Sequence, residues 1–540
     1  MEKMTGGAAI VRSLIQHGAD TVFGLPGVQV DALFNALHDN RNALRVIGAR
    51  HEQGVAYMAL GYAMATGRAG VYAVVPGPGL LNTTAALSTA YACNAPVLAL
   101  TGQIASTAIG RGHGMLHEIP DQLGVIKGLT KWAARIGHPS EVPELVDEAF
   151  RQLAQGRPRP VGLEMAPDMM ALSTPVAMTP PRAPAAPPEP DPDLVTAAAK
   201  ALAAAKFPVI VVGSGAFGAT AELKALAELL GAPVASNRQG GGALSSRHPL
   251  AITQPVLYRL WTEADLFLAV GSRFSSPRLN WRIRPGQTVI HIDIDPGELR
   301  RVDRPKIGIV GDAKATLTAL LDALGSGRPA GTSNADKIAG AKRAMLDQFE
   351  TALAPQMAYL KVLREELPED GILVDEYTQV GYIARAAFPV YAPRTLITSG
   401  YQGTLGYGYA TALGVQVARP DKKVVSVCGD GGFLFTGNEL ATAMNYGIPA
   451  VAVVFDDGAY GNVRRMQVND YGGRVIASEL RNPDFAAYAE SFGAMGLKAD
   501  SPETLRGALR RAFAANQPAV IAVKVGEMPD PWPILAPPAP

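Results

Sequence analysis

Short apolar runs alternate with longer stretches of helical periodicity along this 540-residue chain. The apolar runs have the length of buried strands, and they fall into three groups. They are residues 71–75 and 97–100 in the first group, 209–212, 266–270 and 289–292 in the second, and 372–374, 424–427 and 451–455 in the third. Strands that alternate with helices form parallel sheets covered on both faces. The pattern predicts an α/β fold with three doubly wound parallel-sheet domains.

Segments rich in proline and glycine separate the three groups. Such segments favour extended or irregular chain over packed elements. The expected boundaries are a first domain at 1–173, a linker at 174–192, a middle domain at 193–325, a linker at 326–350, a third domain at 351–526 and a tail at 527–540. Trp532 indicates that part of this tail docks on the protein.

Composition narrows the class of protein. The chain has 49 Lys and Arg against 48 Asp and Glu, a net charge of +1 that predicts neither nucleic acid nor a membrane surface as partner. Its two cysteines exclude a disulfide framework and a cysteine zinc site. Because we find neither a signal-like apolar segment nor a membrane-spanning run, we expect a cytoplasmic enzyme.

Two neighbouring strands of the third group end in glycines and acids. Residues 429–432 read Gly-Asp-Gly-Gly after one strand, and residues 456–461 read Asp-Asp-Gly-Ala-Tyr-Gly after the next. Ligands of open α/β sheets bind at such strand ends, where backbone N–H groups can face a phosphate. Carboxylates and phosphate oxygens together suit Mg²⁺, which makes Asp430 and Asp457 candidate metal ligands. A Gly-Asp-Gly tripeptide taken alone is also compatible with a simple tight turn.

The spacing of these two runs carries a resemblance. Asp457 lies 27 positions beyond Asp430, which resembles the signature of thiamine-diphosphate-dependent enzymes of the acetolactate synthase and 2-oxo-acid decarboxylase type. In that family Gly-Asp-Gly is followed at a fixed distance by Asn-Asn. The resemblance implies that Mg²⁺ is held by Asp430, Asp457 and the backbone carbonyl of Ala459. It also implies that the cofactor is contacted by Gly429, Asp430, Gly431, Gly432, Asp457, Ala459, Tyr460 and Gly461.

This chain departs from the family by carrying Asp456-Asp457 in place of Asn-Asn, which adds negative charge beside a diphosphate and leaves its metal preference open. A second run, residues 399–408, resembles the family's Gly-Thr-(bulky apolar)-Gly loop. The match implies cofactor contacts from Gly403 and Thr404 and a wedge under the cofactor from Leu405. A turn before a packed helix is the purely structural alternative. Gln379 falls in a segment that corresponds to a diphosphate-contacting loop.

Glu52 is the leading catalytic candidate. It shares one helical face with Ala56, Ala59 and Ala63. From the residues alone, a glutamate at a helix start, stabilised by the helix dipole, is an equally good interpretation. The stretch resembles the family's His-Glu-Gln-Gly helix start, whose glutamate bonds the aminopyrimidine ring and activates the cofactor. Since the family builds its site between subunits, the resemblance also implies a homodimer or a dimer of dimers.

Residues 110–122 are the least family-like stretch. His117 falls where many carboligases have a glutamine facing the substrate, and a histidine is suited to proton transfer near neutral pH. A hydrogen-bonding loop residue is the alternative, and His113 is a second, weaker candidate. Arg464 and Arg465 are compatible with binding a substrate anion or with a solvated helix face.

The middle group is also similar to acetolactate synthases, in residues 289–298 and 309–313. Some relatives bind FAD there, but residues 212–218 have only a loose glycine pattern, so no flavin is expected. The resemblance implies pyrimidine-binding, middle and diphosphate-binding domains. It implies decarboxylation of a 2-oxo acid with thiamine diphosphate and Mg²⁺, carboligation of the resulting active aldehyde, or both. A 2-hydroxyacyl-CoA or acyloin C–C lyase, a flavin oxidoreductase and a non-catalytic regulatory relative are the alternatives.

Overall fold

The computed structural model describes residues 1–325 and 334–539 of the chain. Over these residues it contains three six-stranded parallel sheets, each covered by helices, together with one short antiparallel pair. The predicted α/β class with three doubly wound domains is confirmed. Most strands consist of Val, Ile, Leu and Ala and are buried from end to end, as expected for parallel sheets with helices on both faces.

The first sheet lies within residues 1–176 and has the strand order β3-β2-β4-β5-β7-β6. The strands of this part are β1 (Glu2–Thr5), β2 (Thr21–Gly24), β3 (Arg45–Gly48), β4 (Gly70–Val74), β5 (Val97–Gly102), β6 (Trp132–Ile136), β7 (Val161–Met165) and β8 (Ser173–Val176). The helices are α1 (Gly6–Gln16), α2 (Asp31–Asp39), α3 (Glu52–Thr66), α4 (Pro78–Asn82), α5 (Thr84–Cys93), α6 (Gln122–Leu129), α7 (Val142–Ala154) and α8 (Pro167–Ala171). Strand β8 pairs antiparallel with β1 outside the main sheet.

The middle sheet has the order β11-β10-β9-β12-β13-β14. Its strands are β9 (Pro208–Val212), β10 (Val234–Ser236), β11 (Ala251–Thr253), β12 (Leu266–Val270), β13 (Thr288–Asp293) and β14 (Ile307–Val310). The helices of this part are α9 (Pro192–Ala204), α10 (Thr220–Leu230), α11 (Gln254–Leu260), α12 (Ser275–Asn280) and α13 (Ala313–Leu324). The order reverses between β9 and β12, which opens a crevice at the carboxyl ends of these two strands.

The third sheet has the order β16-β15-β17-β18-β20-β19. Its strands are β15 (Ile372–Asp375), β16 (Leu396–Ile397), β17 (Val424–Gly429), β18 (Val451–Asp456), β19 (Met495–Ala499) and β20 (Ala519–Lys524). The helices of this part are α14 (Ala335–Ala352), α15 (Ala354–Glu366), α16 (Gln379–Ala387), α17 (Gly408–Ala418), α18 (Asp430–Thr436), α19 (Leu440–Tyr446), α20 (Gly461–Asn469), α21 (Phe485–Ser491), α22 (Pro502–Ala515) and α23 (Trp532–Leu535). Strands β15, β17 and β18 are neighbours, so their carboxyl ends meet at one edge.

The first and third sheets are joined by a shared apolar core. Helix α3 crosses α17, and two glycines allow the close approach: a Cβ on Gly61 would overlap the carbonyl oxygen of Thr411, and one on Gly414 that of Met58. The core around this crossing contains buried side chains from both domains, including Tyr57 and Tyr407. Each domain therefore completes its packing with the other.

The predicted connecting segments differ from one another. Residues 177–191 contain neither helix nor strand, whereas the start of the predicted 174–192 linker belongs to β8. In the predicted 326–350 linker, residues 326–333 lie outside the described residues. Residues 335–350 belong to α14, whose Ile338, Met345 and Phe349 pack into the apolar core. The domain boundaries as such stay predictions. In the described ranges, every helix is too short or too polar to span a membrane.

Candidate active site

A small cavity of about 100 Å³ lies at the carboxyl ends of β15, β17 and β18. It is lined by Tyr377, Thr378, Gln379, Tyr382, Leu405, Gly429, Asp430, Gly431, Gly432, Asp457, Ala459, Tyr460, Gly461, Asn462 and Val463. The fold therefore brings the predicted diphosphate and metal residues together, with the wedge candidate Leu405 beside them. Gly403 and Thr404 are outside this lining in the described part of the chain.

Asp430 begins α18 and is held by three donors. Its Oδ1 accepts the N–H of Gly431 at 2.8 Å, and its Oδ2 accepts the N–H of Gly458 at 2.9 Å and Asn482 Nδ2 at 2.6 Å. Burial, with the nearby charge of Asp457, raises the pKa of Asp430 to about 6. A buried carboxylate beside another acid is a position where a cation is favoured.

Asp457 faces the same cavity. Its Oδ2 accepts Gln379 Nε2 at 2.6 Å, its Oδ1 accepts the N–H of Ala459 at 3.2 Å, and burial raises its pKa above the ordinary value. The pKa of Asp456 shifts in the opposite direction. Burial alone would raise the pKa of Asp456, but Lys524 Nζ at 3.0 Å and Asn482 Nδ2 at 2.8 Å outweigh that effect and hold it below the ordinary value. Lys524 thus balances one of the two charges that replace Asn-Asn.

The residues of the cavity fit a diphosphate with Mg²⁺. A Cβ on Gly431 would lie 2.5 Å from the Tyr460 ring, and one on Gly461 would lie 2.6 Å from Asp457 Oδ2. Side chains at these two positions would therefore crowd the wall of the cavity. The donor set of two carboxylates with room for phosphate oxygens is the one that Mg²⁺ prefers. Helix α20 begins at Gly461, so its free N–H groups lie at this wall.

The residue that follows Leu405 is hydrogen-bonded to a buried glutamate. The N–H of Gly406 donates to Glu376 Oε1. Glu376 is fully buried, its Oε2 accepts no hydrogen bond from the described residues, and burial raises its pKa to about 7. A Cβ on Gly432 would lie 2.6 Å from Glu376 Oε1, so this side chain also contacts the Gly-Asp-Gly-Gly run. Glu376 therefore connects the wedge loop to the diphosphate loop.

The other two wedge-loop candidates contact residues around the cavity in different ways. Gly403 has φ of +69°, a conformation that glycine adopts without strain, and a Cβ there would lie 3.0 Å from the Tyr377 hydroxyl. Thr404 Oγ1 lies 3.0 Å from Oγ1 of Thr89, a residue of α5 in the first domain. Thr404 thus contacts the first domain, while its neighbour Leu405 contacts the cavity.

Glu52 is the first residue of α3. His51 caps this helix by accepting the N–H of Gln53 at Nδ1, and Asn82 Nδ2 donates to Glu52 Oε2 at 2.9 Å. Glu52 is half-buried, whereas the alanines of its helical face are buried. Its position is therefore that of a carboxylate at a helix start, with one fixed donor and one side open.

His117 lies at the same end of the first sheet. Its backbone is left-handed, with φ of +68°, and its Nδ1 lies 3.1 Å from Gln29 Oε1. The carbonyl oxygen of His117 lies against Gly77, two residues before Gly79, whose Cβ would be 3.6 Å from Glu52 Oε1. His117 is half-buried and His113 is exposed.

Arg464 and Arg465, the remaining candidates from the sequence, contact the C-terminal tail. Arg465 Nη2 donates to the carbonyl of Met528 at 2.6 Å and pairs with Glu527 at 3.5 Å. Arg464 pairs with Glu527 at 3.8 Å and with Glu479 at 3.6 Å. Trp532 Nε1 donates to Asn462 Oδ1 at 2.5 Å, so the tail docks over the start of α20. Gln379 Oε1 accepts the N–H of Met528 at 2.7 Å, which links the tail to the cavity wall.

Sequence reasoning missed three residues of this region. Asn482 lies in an irregular segment without periodicity, and no local signal marked it as a partner of Asp430. Glu376 follows the buried strand β15 directly, and an acid in that position is itself a signal that could have identified it. Glu439 is fully buried and accepts the N–H groups of Arg50 and His51 from across the domain boundary.

Residues 212–218, with their loose glycine pattern, border a separate space. Ser214 and Gly215 border a cavity of about 290 Å³, and Ser214 also borders an adjoining cavity of about 660 Å³, both at the carboxyl edge of the middle sheet. The expectation that no flavin binds there stays a prediction.

Comparison with known proteins gives the same domain order. Residues 4–125 match the N-terminal TPP binding domain of thiamine pyrophosphate enzymes, residues 195–320 match their central domain, and residues 377–523 match their C-terminal TPP binding domain. The chain is 35% identical to a probable acetolactate synthase large subunit from Methanocaldococcus jannaschii, over 97% of this chain and 92% of that protein. The chain belongs to the thiamine pyrophosphate enzyme family.

Other members of the thiamine pyrophosphate enzyme family are similar over comparable lengths. A probable 2-ketoarginine decarboxylase from Pseudomonas aeruginosa is 33% identical, over 96% of this chain and 94% of that protein. The acetolactate synthase large subunit of Corynebacterium glutamicum is 33% identical, over 99% of this chain and 89% of that protein. The family resemblance of the sequence motifs is therefore confirmed along the whole chain.

Proposed function

We propose that this family member uses thiamine diphosphate and Mg²⁺ to decarboxylate a 2-oxo acid, to join the remaining fragment to a second carbonyl compound, or both. The observation that carries the proposal is the cavity in which Asp430, Asp457 and Leu405 meet a glycine-lined wall. The relatives named acetolactate synthase and 2-ketoarginine decarboxylase, which match almost the entire chain, support this chemistry.

The third domain binds the diphosphate end. Asp430, Asp457 and the backbone carbonyl of Ala459 hold Mg²⁺, while Gly429, Gly431, Gly432, Tyr460 and Gly461 form the wall against the phosphates. Gln379 orients Asp457 through its amide. When bound, thiamine diphosphate supplies a thiazolium ring that accepts the electron pair released as CO₂ leaves. Gly403, Thr404 and Leu405 would contact the organic rings of the cofactor, with Leu405 as the wedge.

The first domain supplies proton chemistry. The open carboxylate oxygen of Glu52 would bond the aminopyrimidine ring of the cofactor and so activate it, while Asn82 keeps the other oxygen in place. His117, fixed by Gln29, transfers a proton to or from the substrate. The left-handed backbone of His117 turns this loop sharply at the end of the first sheet.

We also propose that the site is completed by a second copy of the chain, in a homodimer or a dimer of dimers. Within the described residues of one chain, Glu52 and His117 are outside the lining of the diphosphate cavity. Exposed apolar side chains lie near both halves: Leu81 and Leu116 in the first domain, and Leu434 and Phe435 in the third. Exposed apolar side chains are expected where a surface is covered by a partner.

The further expectations follow from the same assignment. The substrate is a small 2-oxo acid, FAD is not required, neither nucleic acid nor a membrane is a partner, and the enzyme is cytoplasmic. The near-neutral charge balance supports the expectation about nucleic acid. The loose glycine pattern of residues 212–218 supports the expectation about FAD. A colourless purified protein, without flavin absorbance, is the expected result.

The test is CO₂ release from a panel of 2-oxo acids that includes pyruvate and 2-ketoarginine, with and without thiamine diphosphate and Mg²⁺. We expect cofactor-dependent release that Glu52→Gln abolishes. Asp31→Asn is the matched control, because Asp31 is also the acidic first residue of a helix in the same domain. Cofactor binding without CO₂ release from any acid would contradict the proposal and direct the search to lyase substrates, such as a 2-hydroxyacyl-CoA or an acyloin.

Mixing two inactive variants tests the shared site. If Glu52 of one chain serves Asp430 of another, a hybrid of Glu52→Gln and Asp430→Ala chains contains one intact site. Random mixing in a two-fold dimer should restore up to about a quarter of the wild-type sites. Sites contained within single chains would give no recovery.

A further inference from the structure

The carboxylate of Glu439 reaches from the third domain to the start of the helix that carries Glu52. Glu439 ends a single turn of 3₁₀ helix (Gly437–Glu439) after α18 and is 0% exposed. Its oxygens lie 3.1 and 3.2 Å from the backbone nitrogen of Arg50, and Oε1 lies 3.0 Å from that of His51. Thr442 Oγ1 donates to Oε2 at 2.5 Å. Both oxygens of the carboxylate therefore accept hydrogen bonds.

The two N–H groups belong to the residues immediately before Glu52. The first N–H groups at a helix start have no partner within the helix. His51 already caps the N–H of Gln53 with its own side chain, so Glu439 completes this helix start from another domain. A Cβ on Gly54 would overlap Glu439, so glycine at this position makes room for the carboxylate.

A second interdomain hydrogen bond provides a comparison. The N–H of Gly48 donates to the Tyr446 hydroxyl at 2.9 Å. Tyr446 ends α19, and Gly48 ends β3, in the same interface between the first and third domains. This bond joins the domains without contacting a residue adjacent to Glu52. If the Glu439 hydrogen bonds only held the domains together, losing them would have the same effects as losing the Tyr446 bond.

We propose that Glu439 is a positioning residue for Glu52: by accepting the N–H groups of Arg50 and His51, it fixes the direction in which the Glu52 carboxylate leaves the helix start. The inference rests on the proposed function, in which Glu52 activates the cofactor. Because Glu52 begins α3, a shift of the preceding peptide planes moves its Cα and hence its carboxylate. The position of the accepting oxygens of Glu439, and not their charge, determines where the Glu52 carboxylate lies.

The experiment measures the rate at which the C2 proton of bound thiamine diphosphate exchanges with D₂O, by acid quench and NMR, together with the Kd of the cofactor. In Glu439→Asp the charge is kept but the carboxylate is one methylene shorter. In Glu439→Gln the charge is lost, while the amide oxygen still reaches both N–H groups and the NH₂ faces Thr442. We expect exchange at least about tenfold slower in Glu439→Asp and within about threefold of wild type in Glu439→Gln.

The Kd of the cofactor should remain within about threefold of wild type in both variants, because Glu439 is outside the lining of the diphosphate cavity in the described chain. Tyr446→Phe is the control for domain adhesion and should leave the exchange rate unchanged. The reverse order, slow exchange in Glu439→Gln and normal exchange in Glu439→Asp, would show that charge is the essential property and would overturn the inference. Unchanged exchange in both variants would overturn it as well.

Glu52→Gln separates this inference from the function on which it rests. If Glu52→Gln does not slow the exchange, the proposed role of Glu52 is wrong. If Glu52→Gln slows the exchange but Glu439→Asp does not, only the positioning role of Glu439 is wrong.

Discussion

Replacing the buried Glu376 by glutamine should remove a pH-dependent loss of stability. Burial raises the pKa of this carboxyl from 4.5 to about 7. Below pH 4.5 the group is protonated in both folded and unfolded chains. Between pH 4.5 and 7 the folded protein holds a proton that the unfolded chain has released, so the free energy of unfolding falls as pH rises. At roughly 1.36 kcal/mol for each pKa unit, the loss above pH 7 is about 3 kcal/mol.

The assay is urea unfolding of the protein without cofactor or Mg²⁺, followed by tryptophan fluorescence from pH 4.5 to 8.5. The quantity to compare is the difference in unfolding free energy between Glu376→Gln and wild type at each pH. We expect this difference to rise in favour of the variant by about 3 kcal/mol across the range. The unpaired amide of glutamine adds a constant cost that does not change with pH.

Glu503→Gln is the matched control, because the side chain of Glu503 is 83% exposed and its loss also removes one carboxylate. Its stability should follow the wild-type curve. Parallel curves for Glu376→Gln and wild type would refute the reasoning, since they would mean that Glu376 ionises equally easily in the folded and unfolded chains. A rise in the opposite direction would mean that Glu376 is stabilised in its charged form.

Three further predictions concern the site and the domain contact. Asp457→Asn, which keeps an oxygen ligand, should leave the Mg²⁺-dependent Kd of thiamine diphosphate within about threefold of wild type, whereas Asp457→Ala should raise it at least about tenfold in a fluorescence titration. Gly414→Ala should lower the free energy of unfolding by about 2 kcal/mol, and with it Tm, because the added Cβ overlaps Met58. Gly340→Ala, which has open space around it, should not lower Tm. Equal Tm values for the two variants would contradict the close approach of α3 and α17. His117→Asn, which tolerates the left-handed backbone, should lower kcat about a hundredfold at unchanged cofactor affinity, and a wild-type kcat would exclude His117 from proton transfer.

The fold and the diphosphate cavity could be predicted because their signals are local. A run such as residues 451–455 is apolar throughout, and the acids at 456–457 follow it directly, so the edge of the sheet and its chemistry lie in one short stretch. Parallel order then places Asp430 and Asp457 together, since neighbouring strands end at one edge. The fold brings Leu405 to the same place through the loop before α17.

The supporting residues could not be predicted because their partners are distant in sequence. Asn482 donates to Asp430 across 52 positions from a segment without regular structure. Glu439 accepts N–H groups across 388 and 389 positions, from another domain. The burial of Glu376 depends on Gly406 and Gly432 packing over it, and an acid in a sequence does not state its own exposure. Such contacts follow from tertiary packing, which no local pattern records.

The crossing of α3 and α17 also has a consequence for synthesis. The first domain packs its alanine- and tyrosine-rich α3 against a helix that begins 342 residues after α3 ends. At about 5 to 20 residues per second, a ribosome takes roughly 20 to 70 seconds to reach that helix. During this time the nascent first domain exposes an apolar face that the third domain covers in the folded chain. The emerging chain is therefore expected to require a chaperone on that face until residues 408–418 have left the ribosome.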